Sequence, residues 1–134
     1  MNQRTLDHLG VAVTSLDNAI PIWEKLTGTT AINRETVEEM GVEVVFLGSG
    51  AGSIELLAPV RPDSTLARFL ERRGPGLHHL CFRVNNLRTA LAEFQEEGFI
   101  LIDQTPRVGA HRRRIAFLHP KATGGALIEL LEAP

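Results

Sequence analysis

Cysteine is nearly absent from this 134-residue chain, since Cys81 is the only one. A lone thiol excludes an internal disulfide and fits a reducing compartment, so the cytoplasm is the expected location. No apolar stretch approaches the length that spans a membrane, and the amino terminus lacks the pattern of a signal peptide. We therefore expect no membrane partner.

An excess of charge of either sign is also lacking, because the formal net charge is −2 at pH 7. Without a basic excess there is no electrostatic attraction for a polyanion, and we expect no nucleic-acid partner. The length predicts a single domain over residues 1–134. Such a domain can bury a hydrophobic core without a disulfide or a structural metal.

One pattern occurs twice in the sequence. His8 lies in the tetrapeptide LDHL and His79 in LHHL, and each copy later reaches IELL, which contains Glu55 in the first copy and Glu129 in the second. The two histidines are 71 residues apart and the two glutamates 74. These nearly equal spacings predict a duplicated module in which each copy supplies one imidazole and one carboxylate.

Hydrophobic periodicity and helix-capping residues predict a strand, a helix and three strands in each copy. Module one, about residues 4–58, has predicted strands at 5–13, 30–36, 42–48 and 53–58 and a helix at 16–26. Module two, about residues 77–134, has predicted strands at 77–84, 99–104, 113–119 and 126–132 and a helix at 87–97. The connector, 59–76, has a predicted helix at 65–72. Pro21 is expected to weaken or kink the first helix.

The predicted fold class is therefore α+β. Two tandem βαβββ modules would form a curved mixed sheet that cups the candidate site, with the helices outside. Side chains alternate between the two faces of a strand, so His8 shares its face with Gly10 and Ala12. The same alternation places His79, rather than His78, on the face opposite the predicted helix.

Single residues of these types have ordinary structural explanations. A strand histidine is usually a hydrogen-bonded structural residue, and a glutamate among leucines can be a strand-end charge that reaches water. Two of each at matched positions favour another explanation, because nitrogen and oxygen ligands of this kind bind divalent metals. We therefore predict a metal site formed by His8, Glu55, His79 and Glu129.

Four segments also resemble a known family. They are LDHLGVAV at 6–13, DSTLARFL at 63–70, GLHHL at 76–80 and IAFLHPK at 115–121, which is followed by a Gly-Gly pair at 124–125. With them the chain resembles the vicinal oxygen chelate superfamily of glyoxalases and extradiol dioxygenases. Within that superfamily it most resembles the methylmalonyl-CoA epimerases, almost from end to end.

The resemblance implies one divalent ion per subunit, with cobalt, manganese, nickel, zinc or magnesium as candidates, held by the four residues named above. It implies a cytoplasmic homodimer that acts on an acyl-CoA and interconverts the (2R) and (2S) forms of methylmalonyl-CoA on the propionate route. A glyoxalase-like metal-dependent isomerase or lyase and a non-catalytic small-molecule-binding protein are the alternatives on this fold. Retention of all four candidate ligands weighs against the non-catalytic alternative.

Epimerisation needs two bases, and Glu129 is the first choice. Several members of the family have glutamine where Glu55 stands and a glutamate, proposed as a base, on the preceding strand. That strand position is Val44 here, which leaves Glu55 as the second base and the adjacent Glu43 as the fallback. Strand alternation should turn Glu43 away from the site.

Basic residues near the carboxyl end are candidates for binding the coenzyme A phosphates, because guanidinium groups match phosphate oxygens in a bidentate way. They are Arg112, Arg113, Arg114 and Lys121. Arg112 replaces a glycine that is common in the family. An exposed loop or strand edge is the simpler explanation of the three consecutive arginines.

Overall fold

A computed structural model describes residues 2–134 of the chain. Its helices are α1 (Leu16–Thr27), α2 (Thr65–Arg73) and α3 (Leu87–Glu96). Its strands are β1 (Leu6–Ala12), β2 (Ala31–Val37), β3 (Val42–Leu47), β4 (Ser53–Pro59), β5 (Gly76–Val84), β6 (Arg107–Val108), β7 (Arg114–Leu118) and β8 (Ile128–Glu132). Single 3₁₀ turns lie at Glu38–Met40, Ala110–Arg112 and Pro120–Ala122. The order confirms the predicted α+β class with two βαβββ modules.

Contacts divide the chain into two compact units. The first is His8–His78, in which the strand order is β2-β3-β4-β1. Strands β1 and β4 are parallel, whereas β2–β3 and β3–β4 are antiparallel. Helix α1 covers one face, where Leu16 and Ala19 pack in a hydrophobic cluster with Val11, Val45 and Leu56. The sheet face opposite α1 is formed by the alternate side chains of these strands, which include His8 and Glu55.

The second unit combines residues 2–7 with His79–Pro134. Its strand order is β5-β8-β7-β6, with β5 parallel to β8 and the other two pairs antiparallel. Helix α3 packs Leu87 and Leu91 against Val84, Ala116 and Leu130. The second unit thus repeats the arrangement of the first.

Local sequence explains where the helices begin and end. Ser15, Ser64 and Asn86 precede α1, α2 and α3, and each side chain accepts a hydrogen bond from a first-turn backbone N–H. Gly28 ends α1 in the left-handed region at φ 71°, which costs glycine little. Helix α1 continues through Pro21, which is exposed to solvent.

One predicted strand is wrong. Residues 99–104 contain only an isolated bridge, Leu101 to Leu118, and the two-residue strand β6 follows instead at Arg107–Val108. The carboxylate of Asp103 accepts the backbone N–H of Phe117 at 2.8 Å, where a regular strand would offer its carbonyl. A side chain therefore interrupts the ladder that the hydrophobic pattern predicts. The other predicted strands and helices are confirmed to within about two residues at most ends.

No helix within residues 2–134 has the length and apolar character needed to cross a membrane. The prediction that the whole chain acts as a single domain stays a prediction.

Candidate metal centre

The first candidate pair lies within the unit His8–His78. His8 is on β1 and Glu55 is on the parallel strand β4, where Glu55 is in register with Gly10. Both side chains are on the sheet face that α1 does not cover, because Val11 and Leu56 take up the helix-facing positions. Nε2 of His8 is 3.4 Å from Oε1 of Glu55, and the two residues are 4% and 6% exposed.

The second pair has the same construction in the other unit. His79 is on β5 and Glu129 is on the parallel strand β8, in register with Cys81. In both units the glutamate is therefore opposite the residue two positions after the histidine. Nε2 of His79 is 3.1 Å from Oε1 of Glu129, and the residues are 5% and 7% exposed.

Within each pair, the donor atoms are spaced as two ligands of one divalent ion would be. Metal bonds to histidine nitrogen and carboxylate oxygen are about 2.0–2.2 Å long, which puts neighbouring ligands of one ion roughly 3 to 3.4 Å apart. The distances within the two pairs match that range. Two buried carboxylates also call for a compensating positive charge, which a divalent ion would supply.

The choice between adjacent histidines agrees with strand alternation. His79 is buried beside Glu129, whereas His78 is half-buried and meets the ring of Phe69 edge-on at 4.7 Å between centroids. Phe69 belongs to α2. The structure thus gives His78 a packing contact with the connector helix and pairs His79 with Glu129.

Two aromatic neighbours of the histidines are missing from the sequence-based site. Phe46 meets the ring of His8 at 5.6 Å between centroids with an interplanar angle of 88°. Phe117 meets His79 in the same way, at 6.0 Å and 88°. A signal for them exists, because the dipeptide Phe-Leu occurs at 46–47 and at 117–118, with the same 71-residue spacing as the two histidines.

Glu43, the fallback base, lies on the helix-facing side of β3. It shares that side with Val45, which belongs to the hydrophobic cluster against α1. Nη2 of Arg34 is 3.5 Å from Oε2 of Glu43, and Nη1 of Arg34 is 2.7 Å from Oδ1 of Asp17. The hydrogen bond to Asp17 is the main cause that raises the pKa of Arg34 above its usual value. Val44, 1% exposed, is on the same face as Phe46.

The predicted phosphate-binding residues are spread around the β6–β7 loop and the segment after β7. Arg112 and Lys121 are exposed, and Arg112 has φ 58°. Arg113 donates from Nη2 to the carbonyl of Glu132 at 3.2 Å. Nη1 of Arg114 lies 3.4 Å from Oε1 of Glu132. Arg113 and Arg114 thus have partners within the protein, and the phosphate-binding role of all four stays a prediction.

Comparison with known proteins agrees with this geometry. The sequence model of the glyoxalase/bleomycin resistance protein/dioxygenase superfamily matches residues 7–117. The chain belongs to that superfamily. The match spans β1 to most of β7 and therefore includes three of the four candidate ligands.

Among relatives in this superfamily, the uncharacterized protein YqjC of Bacillus subtilis is 42% identical over 95% of this chain and 91% of its own length. The mitochondrial methylmalonyl-CoA epimerase of Homo sapiens is 34% identical over 98% of this chain and 76% of its own. The second match confirms the resemblance of the sequence to methylmalonyl-CoA epimerases.

A solved structure of a variant of the Streptomyces coelicolor methylmalonyl-CoA epimerase, in complex with 2-nitronate-propionyl-CoA, superposes with a TM-score of 0.92. It is 31% identical, and the match covers 98% of this chain and 99% of that one. The superfamily fold is therefore shared over almost all of both chains.

Proposed function

We propose that this protein is a metal-dependent epimerase that interconverts (2R)- and (2S)-methylmalonyl-CoA, with His8, Glu55, His79 and Glu129 holding one divalent ion. The observation that carries the proposal is a buried histidine–glutamate pair in each unit of a chain similar to a methylmalonyl-CoA epimerase over 98% of its length. A homodimer is part of the same proposal, because the resemblance implies it. A cytoplasmic location is also part of it, supported by the resemblance and by the single cysteine.

The chemistry requires removal of the proton on C2, which lies between a thioester carbonyl and a carboxylate, and its return to the opposite face. A bound divalent ion would act as a Lewis acid that lowers the energy of the enolate charge. We assign proton removal and return to Glu129 and Glu55, because one carboxylate on each side of C2 gives inversion. Each carboxylate has two oxygens, so one can face the ion and the other the substrate.

Glu55 is preferred to Glu43 as the second base. Glu43 lies on the α1 side of β3 and is ion-paired with Arg34, so it would have to leave that pair and cross the sheet to reach the substrate. Glu55 is buried beside His8 on the face opposite α1. We also propose that Arg112, Arg113, Arg114 and Lys121 bind the coenzyme A phosphates, with exposed Arg112 and Lys121 as the main contacts.

The decisive experiment incubates the metal-loaded protein with (2S)-methylmalonyl-CoA in heavy water. We expect deuterium at C2 together with formation of the (2R) form, both lost after chelation and restored by adding metal. Glu43→Gln serves as a control that should retain full exchange. If the protein demonstrably binds metal but exchange does not exceed the uncatalysed rate, the epimerase proposal is wrong.

A glyoxalase-like isomerase is the second candidate, and one observation favours it. Val44, buried and apolar, stands at the β3 position where several epimerases have a glutamate that is proposed as a base. An enzyme that isomerises a hemithioacetal also moves a proton beside a carbonyl, and fold alone does not separate the two reactions. Turnover of such an adduct at a rate above that of methylmalonyl-CoA would favour this candidate.

A further inference from the structure

Phe46 and Phe117 occupy equivalent places beside the two halves of the candidate centre. Phe46 on β3 is in direct register with Glu55 on β4, and Phe117 on β7 is in direct register with Glu129 on β8. Residues opposite each other in an antiparallel pair point to the same face, with Cβ atoms roughly 5 Å apart. Each ring therefore lies next to the glutamate of its own unit as well as against the histidine.

The two ring contacts are alike in geometry. In both, the phenyl and imidazole planes are 88° apart, with centroid separations of 5.6 Å for Phe46 and 6.0 Å for Phe117. Edge-to-face packing of this kind fixes the relative orientation of two rings, because the positive ring edge prefers the negative ring face. An imidazole held in this way presents its Nε2 in one direction.

The two rings are not part of the hydrophobic clusters that pack against the helices. The hydrophobic clusters against α1 and α3, within residues 2–134, contain Phe82, Phe94 and Phe99 but neither Phe46 nor Phe117. Phe117 is 8% exposed and Phe46 is half-buried, and each lies beside the histidine of its own unit on the sheet face opposite the helix.

Besides its pairing with β8, the backbone of Phe117 forms hydrogen bonds with the segment that precedes β6. Its N–H is donated to Oδ2 of Asp103 at 2.8 Å, and its carbonyl accepts the N–H of Ile102 at 2.9 Å. Phe46 is in register with Ile32 on β2 as well as with Glu55. Each phenylalanine thus belongs to a strand that has a hydrogen-bonded neighbour along each of its two edges.

We infer that Phe46 and Phe117 are positioning residues of the metal centre: each orients the histidine of its own module and shields the adjacent glutamate from water. The inference rests on the proposed metal site and deepens it. Groups that orient metal ligands commonly change affinity by 10- to 100-fold when they are removed. Because the contacts are confined to one module each, loss of one ring should disturb one histidine and spare the other.

The test replaces each phenylalanine with leucine, which keeps an apolar side chain but removes the aromatic ring. Phe46→Leu and Phe117→Leu should each weaken Co²⁺ binding by about 10-fold in a chelator competition, and each should alter the visible absorption of the Co²⁺ complex. Phe46→Tyr keeps the ring and should restore affinity. Phe82→Leu, which alters the cluster against α3, is the matched control and should lower the melting temperature while leaving Co²⁺ affinity unchanged.

A second measurement uses metal-free protein with labelled histidine rings. The NMR signal of the His8 ring should broaden or double in Phe46→Leu while that of His79 stays sharp, and Phe117→Leu should give the reverse. If wild-type protein binds no Co²⁺, the proposed metal site is wrong, yet these spectra still decide whether the rings orient the histidines. Unchanged spectra together with affinities within twofold of wild type, or an equal loss in Phe82→Leu, would overturn the inference.

Discussion

Glu129 is the residue on which the proposed chemistry depends most. Glu129→Gln keeps the size and an oxygen donor but removes the group that accepts a proton. Positioned general bases contribute about 10²- to 10⁴-fold to rates, so we expect C2 exchange to fall by at least about 100-fold. Exchange is measured by mass spectrometry in heavy water, alongside the metal content of the variant.

Metal content decides how that result is interpreted. If Glu129→Gln retains the ion and loses exchange, the carboxylate acts as a base. Glu93→Gln, an exposed change on α3, is the control and should leave both quantities unaltered. A Glu129→Gln variant that keeps full exchange would remove the proposed role of this residue.

The four candidate ligands could be predicted from the sequence because each residue type occurs at a matching position in both copies of the repeat. His8 and His79 have matched neighbours, and each IELL tetrapeptide fixes a glutamate by alternation. The two phenylalanines were missed although they have the same 71-residue spacing. Their contact depends on the β3–β4 and β7–β8 registers, which pair residues that the hydrophobic pattern alone does not align.

In the β6–β7 loop, residues 109–113, one substitution can distinguish the effect of backbone conformation on stability from the effect of a side chain on substrate binding. Arg112 has φ 58°, a conformation that costs a residue with a side chain roughly 1–2 kcal/mol and glycine little. Arg112→Gly should therefore melt at the wild-type temperature or above it. If Arg112 binds a coenzyme A phosphate, the loss of a charged hydrogen bond of about 1.5–3 kcal/mol should raise KM by roughly 10-fold or more.

Steady-state kinetics and thermal melting check both expectations on the same samples. The turnover number should be unchanged, because the loop is proposed to bind the substrate tail and not the reacting carbon. Arg34→Ala, which removes a basic side chain from the α1 face, is the control for a general effect of charge. An unchanged KM in Arg112→Gly contradicts the phosphate-binding role.

Most helices and strands follow from local signals, whereas the segment after α3 does not. Ser15, Ser64 and Asn86 are N-caps that can be identified in the sequence, and Gly28 marks the end of α1. The false strand at 99–104 has an apolar pattern suited to a sheet. What breaks it is a hydrogen bond from Phe117 to Asp103, 14 residues away, and no local pattern encodes such a partner.

The duplication gives the chain two similar units, each with a buried histidine and a buried glutamate. Burying these polar groups is unfavourable unless they are compensated, and in the proposed function the bound ion provides the compensation. Metal binding should then be coupled to folding, since an unfolded chain does not hold the four ligands together. The consequence is measurable on the intact protein without any substrate.

Adding a divalent metal to the chelator-treated protein should raise its melting temperature. At a free metal concentration 100 times the dissociation constant, the folded state gains about 2.7 kcal/mol, which corresponds to roughly 10 °C for a protein of this size. His79→Ala should abolish the rise, whereas His78→Ala should keep it, because His78 packs on Phe69 instead. Scanning calorimetry with and without metal makes the comparison, and an equal rise in both variants would exclude His79 as a ligand.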